Sequence, residues 1–193
     1  MLGNIEAVVL AGGLATRAGG DKMRLKIGDN SLIQRSVLAF LNVCTRVIVV
    51  LGHRADEVKD ELDGSKFKNV DFVHNQRYEQ GMFSCVKAGV REIRGERFFL
   101  TPGDYPFIKE SICENMLREQ GEIIIPSFKN KCGHPILLDS SLRDEILNED
   151  EASNLRKVLE RRRLDVRYYE ADSEDVLFDI DTKDDYLKAR GIS

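Results

Sequence analysis

The sequence predicts an α/β fold built on a largely parallel sheet, and three observations carry that prediction. Short apolar runs alternate with helical stretches along the whole chain, the pattern of successive βα units. The run Arg46–Leu51 is apolar almost without a break, as expected of a strand covered on both faces. The first apolar run, Glu6–Leu10, opens directly into a glycine-rich loop. Open α/β sheets collect their ligands at such carboxyl ends.

Taken in order, Glu6–Leu10 is the first strand. Ser31–Asn42 follows as a helix, with Ser31 as its N-cap and Leu32, Val37, Leu38 and Leu41 as its apolar stripe. Arg46–Leu51 is the second strand, Ala55–Leu62 a short helix and Val70–Val73 the third strand. Phe83–Ile93 is helical, with Val86, Val90 and Ile93 on one face, and Arg97–Leu100 is a strand. Ser111–Glu119 reads as a helix, Glu122–Ile125 as a strand and Pro135–Leu138 as a strand after a Gly-His turn. Leu142–Leu147 and Asn154–Arg163 read as helices, Val166–Tyr169 and Val176–Ile180 as extended segments, and Lys183–Arg190 as the closing helix. No repeat or low-complexity tract interrupts the pattern, and residues 1–193 are expected to form one domain. The acidic run Glu149–Glu151 reads as a solvated loop, and the basic run Arg161–Arg163 as an exposed helix end that suits the macrodipole.

Composition removes several function classes. A net charge of −4 gives no footprint for a nucleic-acid backbone. No apolar run approaches the roughly 20 residues of a membrane span, and the start of the chain lacks the basic and apolar regions of a signal peptide. Cys44, Cys85, Cys113 and Cys132 are scattered, with no Cys-x2-Cys pair, and read as small core residues with reduced thiols in a cytoplasmic protein. His53, His74 and His134 show no metal-ligand spacing.

The chemistry concentrates in the stretch from Leu10 to Lys22, LAGGLATRAGGDK. Glycines let a backbone approach a polyphosphate and aim its N–H groups at the oxygens. Arg17 and Lys22 add the positive charge, one as a planar fork and one as a point charge. The stretch is neither a Walker A loop nor a dinucleotide fingerprint. Four further segments lie where strands end. In Thr101–Pro106, Asp104 is placed either to hold a hard cation or to stabilise its own turn. In Asp179-Ile180-Asp181-Thr182, two carboxylates at i, i+2 on a strand share a side; one is available as a second metal ligand, and Asp181 or Thr182 also serves as a helix N-cap. In His74–Gly89, Gly81 opens a helix whose N-terminus suits an anion, with Asn75 before it and Ser84 either donating to phosphate or capping. The fourth is Cys132-Gly133-His134-Pro135.

Together these segments resemble the NTP-transferase superfamily, whose first loop runs Leu-Ala-Gly-Gly-x3-Arg-x-Gly-x2-Lys, and within it the MobA-like branch that attaches nucleotides to the molybdenum cofactor. The resemblance extends from about Ile5 to Leu187, with the motifs in family order. It implies a three-layer α/β/α, Rossmann-like nucleotidyltransferase fold with a mostly parallel central sheet. It also implies transfer of an NMP unit from CTP or GTP to a phosphorylated acceptor, molybdopterin in the cofactor-maturation branch, with release of pyrophosphate. Arg17 and Lys22 would act in catalysis. Leu10, Ala11, Gly12, Gly13, Lys22, Asn75, Gly81, Ser84 and Asp104 would hold the nucleotide, and Gly133, His134 and Pro135 the acceptor. Asp104 and Asp181, the latter preferred over Asp179, would bind Mg²⁺. A client molybdoenzyme would receive the product.

Three departures matter. Cys85 replaces a usual Ser, and of the family's Gly-Asp-x-Gly-x-Arg pattern only Asp150 and Arg156 correspond. The Leu-Ala-Gly-Gly opening is closer to guanylyl-transferring members, and Gly12, without a Cβ, leaves room for a purine. The Gly81–Ser84 and Gly133–Pro135 segments resemble the cytidylyl branch, so CTP is expected over GTP. A sugar-phosphate nucleotidylyltransferase and a non-enzymatic nucleotide-binding chaperone remain the alternatives.

Overall fold

The computed structural model describes residues 3–13 and 22–192. In chain order the strands and α-helices are β1 (Ile5–Ala11), β2 (Lys26–Ile27), β3 (Asn30–Ser31), α1 (Leu32–Leu38), β4 (Arg46–Leu51), α2 (Ala55–Glu61), β5 (Val70–His74), α3 (Met82–Arg91) and β6 (Arg97–Pro102). They continue with α4 (Glu110–Arg118), β7 (Ile123–Phe128), β8 (Lys131–Cys132), β9 (Ile136–Asp139), α5 (Arg143–Asn148), α6 (Leu155–Arg161), β10 (Val166–Glu170) and α7 (Lys183–Ile192).

The main sheet runs β10-β7-β9-β6-β1-β4-β5, with β8 added to β7, and β2-β3 form a separate hairpin. Pairs β1–β4, β1–β6, β4–β5 and β7–β10 are parallel; β9 lies antiparallel between β6 and β7. The mostly parallel α/β expectation therefore holds. Along β1 the side chains alternate between two cores, as strand geometry requires. Ala7, Val9 and Ala11 face a layer with Ile33 and Val37 of α1, Val58 of α2, and Ile112 and Met116 of α4. Val8 and Leu10 face the layer of Phe83, Val86 and Val90 of α3, Ile146 of α5 and Val158 of α6. The sheet is covered on both sides, which explains why the inner strands read as continuous apolar runs.

The amino end of the sheet is locked by a buried ion pair. Glu6 accepts from Arg94 N at 2.6 Å and Gly95 N at 2.8 Å, and pairs with Arg46 Nε at 3.0 Å. The carboxyl end is left for chemistry. Successive strands leave β1 on one side through β4 and β5, then return on its other side at β6, so the switch point lies between β1 and β6.

Three local expectations are corrected. The helix after Ser31 stops at Leu38, and shorter turns carry Phe40 into the core, with Phe40 N bonding Val37 O and Val43 N bonding Phe40 O. Ser31 does precede the helix, and its N–H donates to Gln34 Oε1 at 2.7 Å. Val176–Ile180 is not a strand: Glu174–Leu177 is a 3-10 turn, and the stretch is tied by isolated bonds, Val176 O to His134 N and Ile180 N to Asp104 O. Cys132 is exposed rather than a core residue, whereas Cys44, Cys85 and Cys113 are buried, and all four are free thiols. Among the described residues no helix is long and apolar enough to cross a membrane.

Candidate active site

Two strand ends carry the site. Leu10 and Ala11 end β1 as buried residues, and Leu10 O accepts from Gly103 N at 2.8 Å, so the loop after β6 runs alongside. Ser36 of α1 supports that loop from below: its hydroxyl lies 2.8 Å from Gly103 O and 3.2 Å from Tyr105 O, one residue either side of Asp104. Ile180 N then donates to Asp104 O at 3.1 Å, which brings Asp179 and Asp181 to the same place from the far end of the chain.

Lys22 closes this cluster. Its ammonium donates to Asp104 Oδ2 at 2.7 Å and to Asp181 Oδ1 at 2.8 Å. The Lys22 side chain is only 8% exposed, against 16% for Asp104 and 56% for Asp181. Burial alone would lower the lysine pKa, but the two carboxylates outweigh it and hold it above the ordinary value. At Asp179 a raised pKa disfavours the charged form instead: burial, then the charges of Asp181 and Asp104, lift its carboxyl above the ordinary range. Asp181 thus faces Lys22 directly, and Asp179 does not share that bond.

Asp104 Oδ1 is buried and has no hydrogen-bond partner among the described residues. An orphaned carboxylate oxygen is costly unless something completes it. Among the described residues no three His, Cys, Asp or Glu side chains gather as a metal cluster. Two carboxylates completed by substrate phosphate and water are nonetheless the ordinary protein share of a Mg²⁺ site. Asp104 and Asp181 are the pair that could supply it, with Lys22 Nζ between them.

The first loop meets α3 through a close contact. A Cβ on Gly12 would lie 2.8 Å from Cys85 Sγ and 3.4 Å from Gly52 N, and one on Gly52 would lie 2.4 Å from Gly12 O. The space beside Gly12 is therefore filled by protein, which corrects the expectation of room for a purine there. Gly13 is exposed and nothing described lies within 4 Å of its Cβ position. Arg17 lies outside the described residues. We expect Gly12→Ala to cost about 1–3 kcal/mol by overpacking. Adding Cys85→Ala should recover most of that loss, because the two positions share one space. Urea unfolding of the two single variants and the double variant checks this; purely additive losses would contradict the contact.

Asn75 and Ser84 are brought together. Asn75 is buried; its Nδ2 lies 2.8 Å from Ser84 Oγ and 3.2 Å from Cys85 Sγ, and its Oδ1 accepts from Arg77 N at 3.0 Å. The Ser84 hydroxyl lies 2.7 Å from Gly81 O and 2.9 Å from Arg77 O. These bonds shape the turn that leads into α3. Gly81, with φ of 98°, supplies a backbone angle that other residues rarely adopt.

Beyond Leu10 and Pro102 opens a cleft of about 780 Å³. One side carries Met82 and Phe83 of α3, and the other carries Asn154, Arg156 and Arg163 around α6. Gly133 and His134 line it from the turn before β9, and Pro135 follows through a cis peptide bond. Gly133 sits against Val176 O, which a Cβ would approach to 2.0 Å. The His134 ring stands edge-on to Tyr105 at 4.8 Å between centroids. Burial pulls the His134 pKa down to about 4, against the opposing pull of a backbone hydrogen bond at Leu100 and the Asp104 charge, so the imidazole is neutral at pH 7.

Several contributors escaped the sequence reading. Gly52 is one; a glycine directly after an apolar strand was the available signal. Arg163 is another, because nothing local shows that the end of α6 and α3 line one cleft. The runs Glu149–Glu151 and Arg161–Arg163 are not merely solvated. Glu149 and Glu151 bind Lys87, Arg161 pairs with Glu149 and Glu145, and Arg162 pairs with Glu122 at 2.8 Å.

Comparison with known proteins gives the family. The model for the MobA-like NTP transferase domain matches residues 7–166. The molybdenum cofactor cytidylyltransferase of Escherichia coli (strain K12) is 31% identical over 188 residues, covering 96% of this chain and 95% of that protein. A probable molybdenum cofactor guanylyltransferase of Natranaerobius thermophilus is 29% identical, covering 65% of this chain and 62% of its own length. A solved nucleotidyl transferase from Methanothermobacter thermautotroptrophicus superposes with a TM-score of 0.83 at 22% identity, covering 97% of this chain and 96% of that one. The strand-end cluster and the match over most of the chain lead to one conclusion: this protein belongs to the MobA-like NTP transferase family, a family of nucleotidyltransferases.

Proposed function

We propose that this enzyme transfers a CMP unit from CTP to the phosphate of molybdopterin, in the cytoplasm, and that a client molybdoenzyme receives the product. The observation that carries the reading is the Lys22–Asp104–Asp181 cluster, set at the switch point of the sheet and opening beside the 780 Å³ cleft. Similarity to a cytidylyltransferase along nearly the whole chain supports CTP over GTP, since the guanylyltransferase just cited matches about two thirds. Free thiols at all four cysteines support a reducing compartment.

In this reading an acceptor phosphate oxygen attacks the α-phosphorus, a new P–O bond forms, and the bond to the β-phosphate breaks to release pyrophosphate. No protein nucleophile is needed, because positioning and charge stabilisation supply the catalysis. Lys22 serves the triphosphate as a cationic partner, and the family resemblance implies the same role for Arg17. Leu10 to Gly13 offer backbone N–H groups, and the turn built by Asn75, Gly81 and Ser84 borders the nucleotide. Asp104 and Asp181 fit Mg²⁺, which when bound neutralises phosphate charge and favours departure of pyrophosphate. Gly133, His134 and Pro135 shape the acceptor end, where the neutral His134 ring adds no charge.

The test is pyrophosphate release in Mg²⁺ with each of the four NTPs and molybdopterin. Release with CTP and molybdopterin is expected. Release only with a sugar phosphate would replace the acceptor, preference for GTP would replace the donor, and nucleotide binding without turnover would favour a carrier role.

A further inference from the structure

Lys87 is buried, at 5% exposed, yet it belongs to neither strand-end cluster nor cleft lining. It lies on the same face of α3 as Phe83, one turn on, with its ammonium 5.5 Å from the centre of that ring. Its hydrogen bonds leave the helix altogether. The ammonium reaches Glu149 O at 2.5 Å and Glu151 Oε1 at 3.1 Å, both in the short loop between α5 and α6. That loop is held from its other side as well, because Arg161 of α6 binds the Glu149 carboxylate. Asn154 ends the loop and caps α6, its side chain accepting from Lys157 N at 3.0 Å. The next residues of α6 form the cleft wall opposite Met82 and Phe83.

A buried ammonium is a poor device for stability alone, since an apolar side chain of similar volume commonly serves as well. What the ammonium adds is direction. It donates to Glu149 O and Glu151 Oε1 at once, and so ties the loop that leads into α6 to α3. Other titratable or charged groups around the same recess are His74, Arg77, Arg91, Glu92 and Glu151. Of these only Glu151 is paired with Lys87.

We infer that Lys87 is a positioning residue for the acceptor: through Glu149 and Glu151 it fixes the α6 wall, with Asn154 and Arg156, against α3. The inference rests on the proposed function in placing the acceptor in this cleft.

The experiment compares Lys87→Met, Glu151→Ala and Lys87→Arg with wild type. Lys87→Met should raise KM for molybdopterin about 10-fold, the scale of effect that a slightly misplaced wall produces. KM for CTP should stay within about twofold, since the nucleotide contacts are untouched. Glu151→Ala should move KM in the same direction, and Lys87→Arg should restore much of it. Hydrogen exchange supplies a readout independent of turnover. Amides of residues 149–161 should exchange faster in Lys87→Met while those of 75–84 do not. Equal changes in both KM values, or uniform acceleration of exchange, would reduce Lys87 to a general stabiliser and overturn the inference. If wild type transfers nothing to molybdopterin, the proposed function fails, and the exchange pattern still decides whether Lys87 holds the α6 wall.

Discussion

Asp104→Asn should lower nucleotidyl transfer by about 10³-fold, at the upper end of what one positioned electrostatic group contributes. The change keeps the shape of the side chain and removes its charge. The backbone of residue 104 is held independently, by Ile180 N on its own carbonyl and by Ser36 beneath its neighbours, so the loop should survive. What is lost is the negative charge that Asp104 places beside Asp181, and with it the strength of the side-chain oxygen as a ligand for a hard cation. Steady-state pyrophosphate release, set beside a Mn²⁺ titration of the same variant, checks both halves. A variant that turns over and binds Mn²⁺ like wild type would make Asp104 a turn residue and nothing more.

How much of this site could be read in advance depended on distance along the chain. Leu10–Gly13 and Asp104 were legible because each stands at the end of an apolar strand, where local pattern locates a carboxyl end, and Lys22 because the glycine-rich motif runs on to it. Asp181 was legible for a reason that proved incomplete. The i, i+2 argument assumed a strand, whereas the segment is held by Ile180 N on Asp104 O, a contact 76 residues away by subtraction (180 − 104). Asp181 reaches Lys22 through that tether rather than through pleat geometry. The Gly12–Gly52–Cys85 contact joins three elements with no shared periodicity, and no local signal shows that Cys85 fills the space beside Gly12. The charged runs at Glu149–Glu151 and Arg161–Arg163 looked solvated for the same reason. Their partners, Lys87 and Glu122, lie on other elements, and charge by itself does not reveal pairing.

Lys22→Ala should cost about 10²-fold in transfer, because it removes a charge that would face the triphosphate. Its second effect is opposite in sign and more diagnostic. In the free protein the Lys22 ammonium lies between Asp104 and Asp181, at 2.7 and 2.8 Å, on the two carboxylates that fit a divalent cation. A cation entering without nucleotide must displace that ammonium. A triphosphate would give Lys22 another anion to bind, so metal and nucleotide should enter together in wild type. Removing the ammonium leaves the buried Asp104 carboxylate without its partner, and breaking such a pair costs about 3 kcal/mol or somewhat less, given how exposed Asp181 is. Lys22→Ala should therefore melt lower than wild type in chelator. It should also bind Mn²⁺ more tightly in the absence of nucleotide, and recover stability as Mg²⁺ is added, since a ligand bound only by the native state stabilises it by mass action. Thermal unfolding across a Mg²⁺ series, alongside Mn²⁺ binding by electron paramagnetic resonance, reads all three effects. Mn²⁺ affinity unchanged or weaker in Lys22→Ala would mean that the ammonium and the cation do not compete for Asp104 and Asp181.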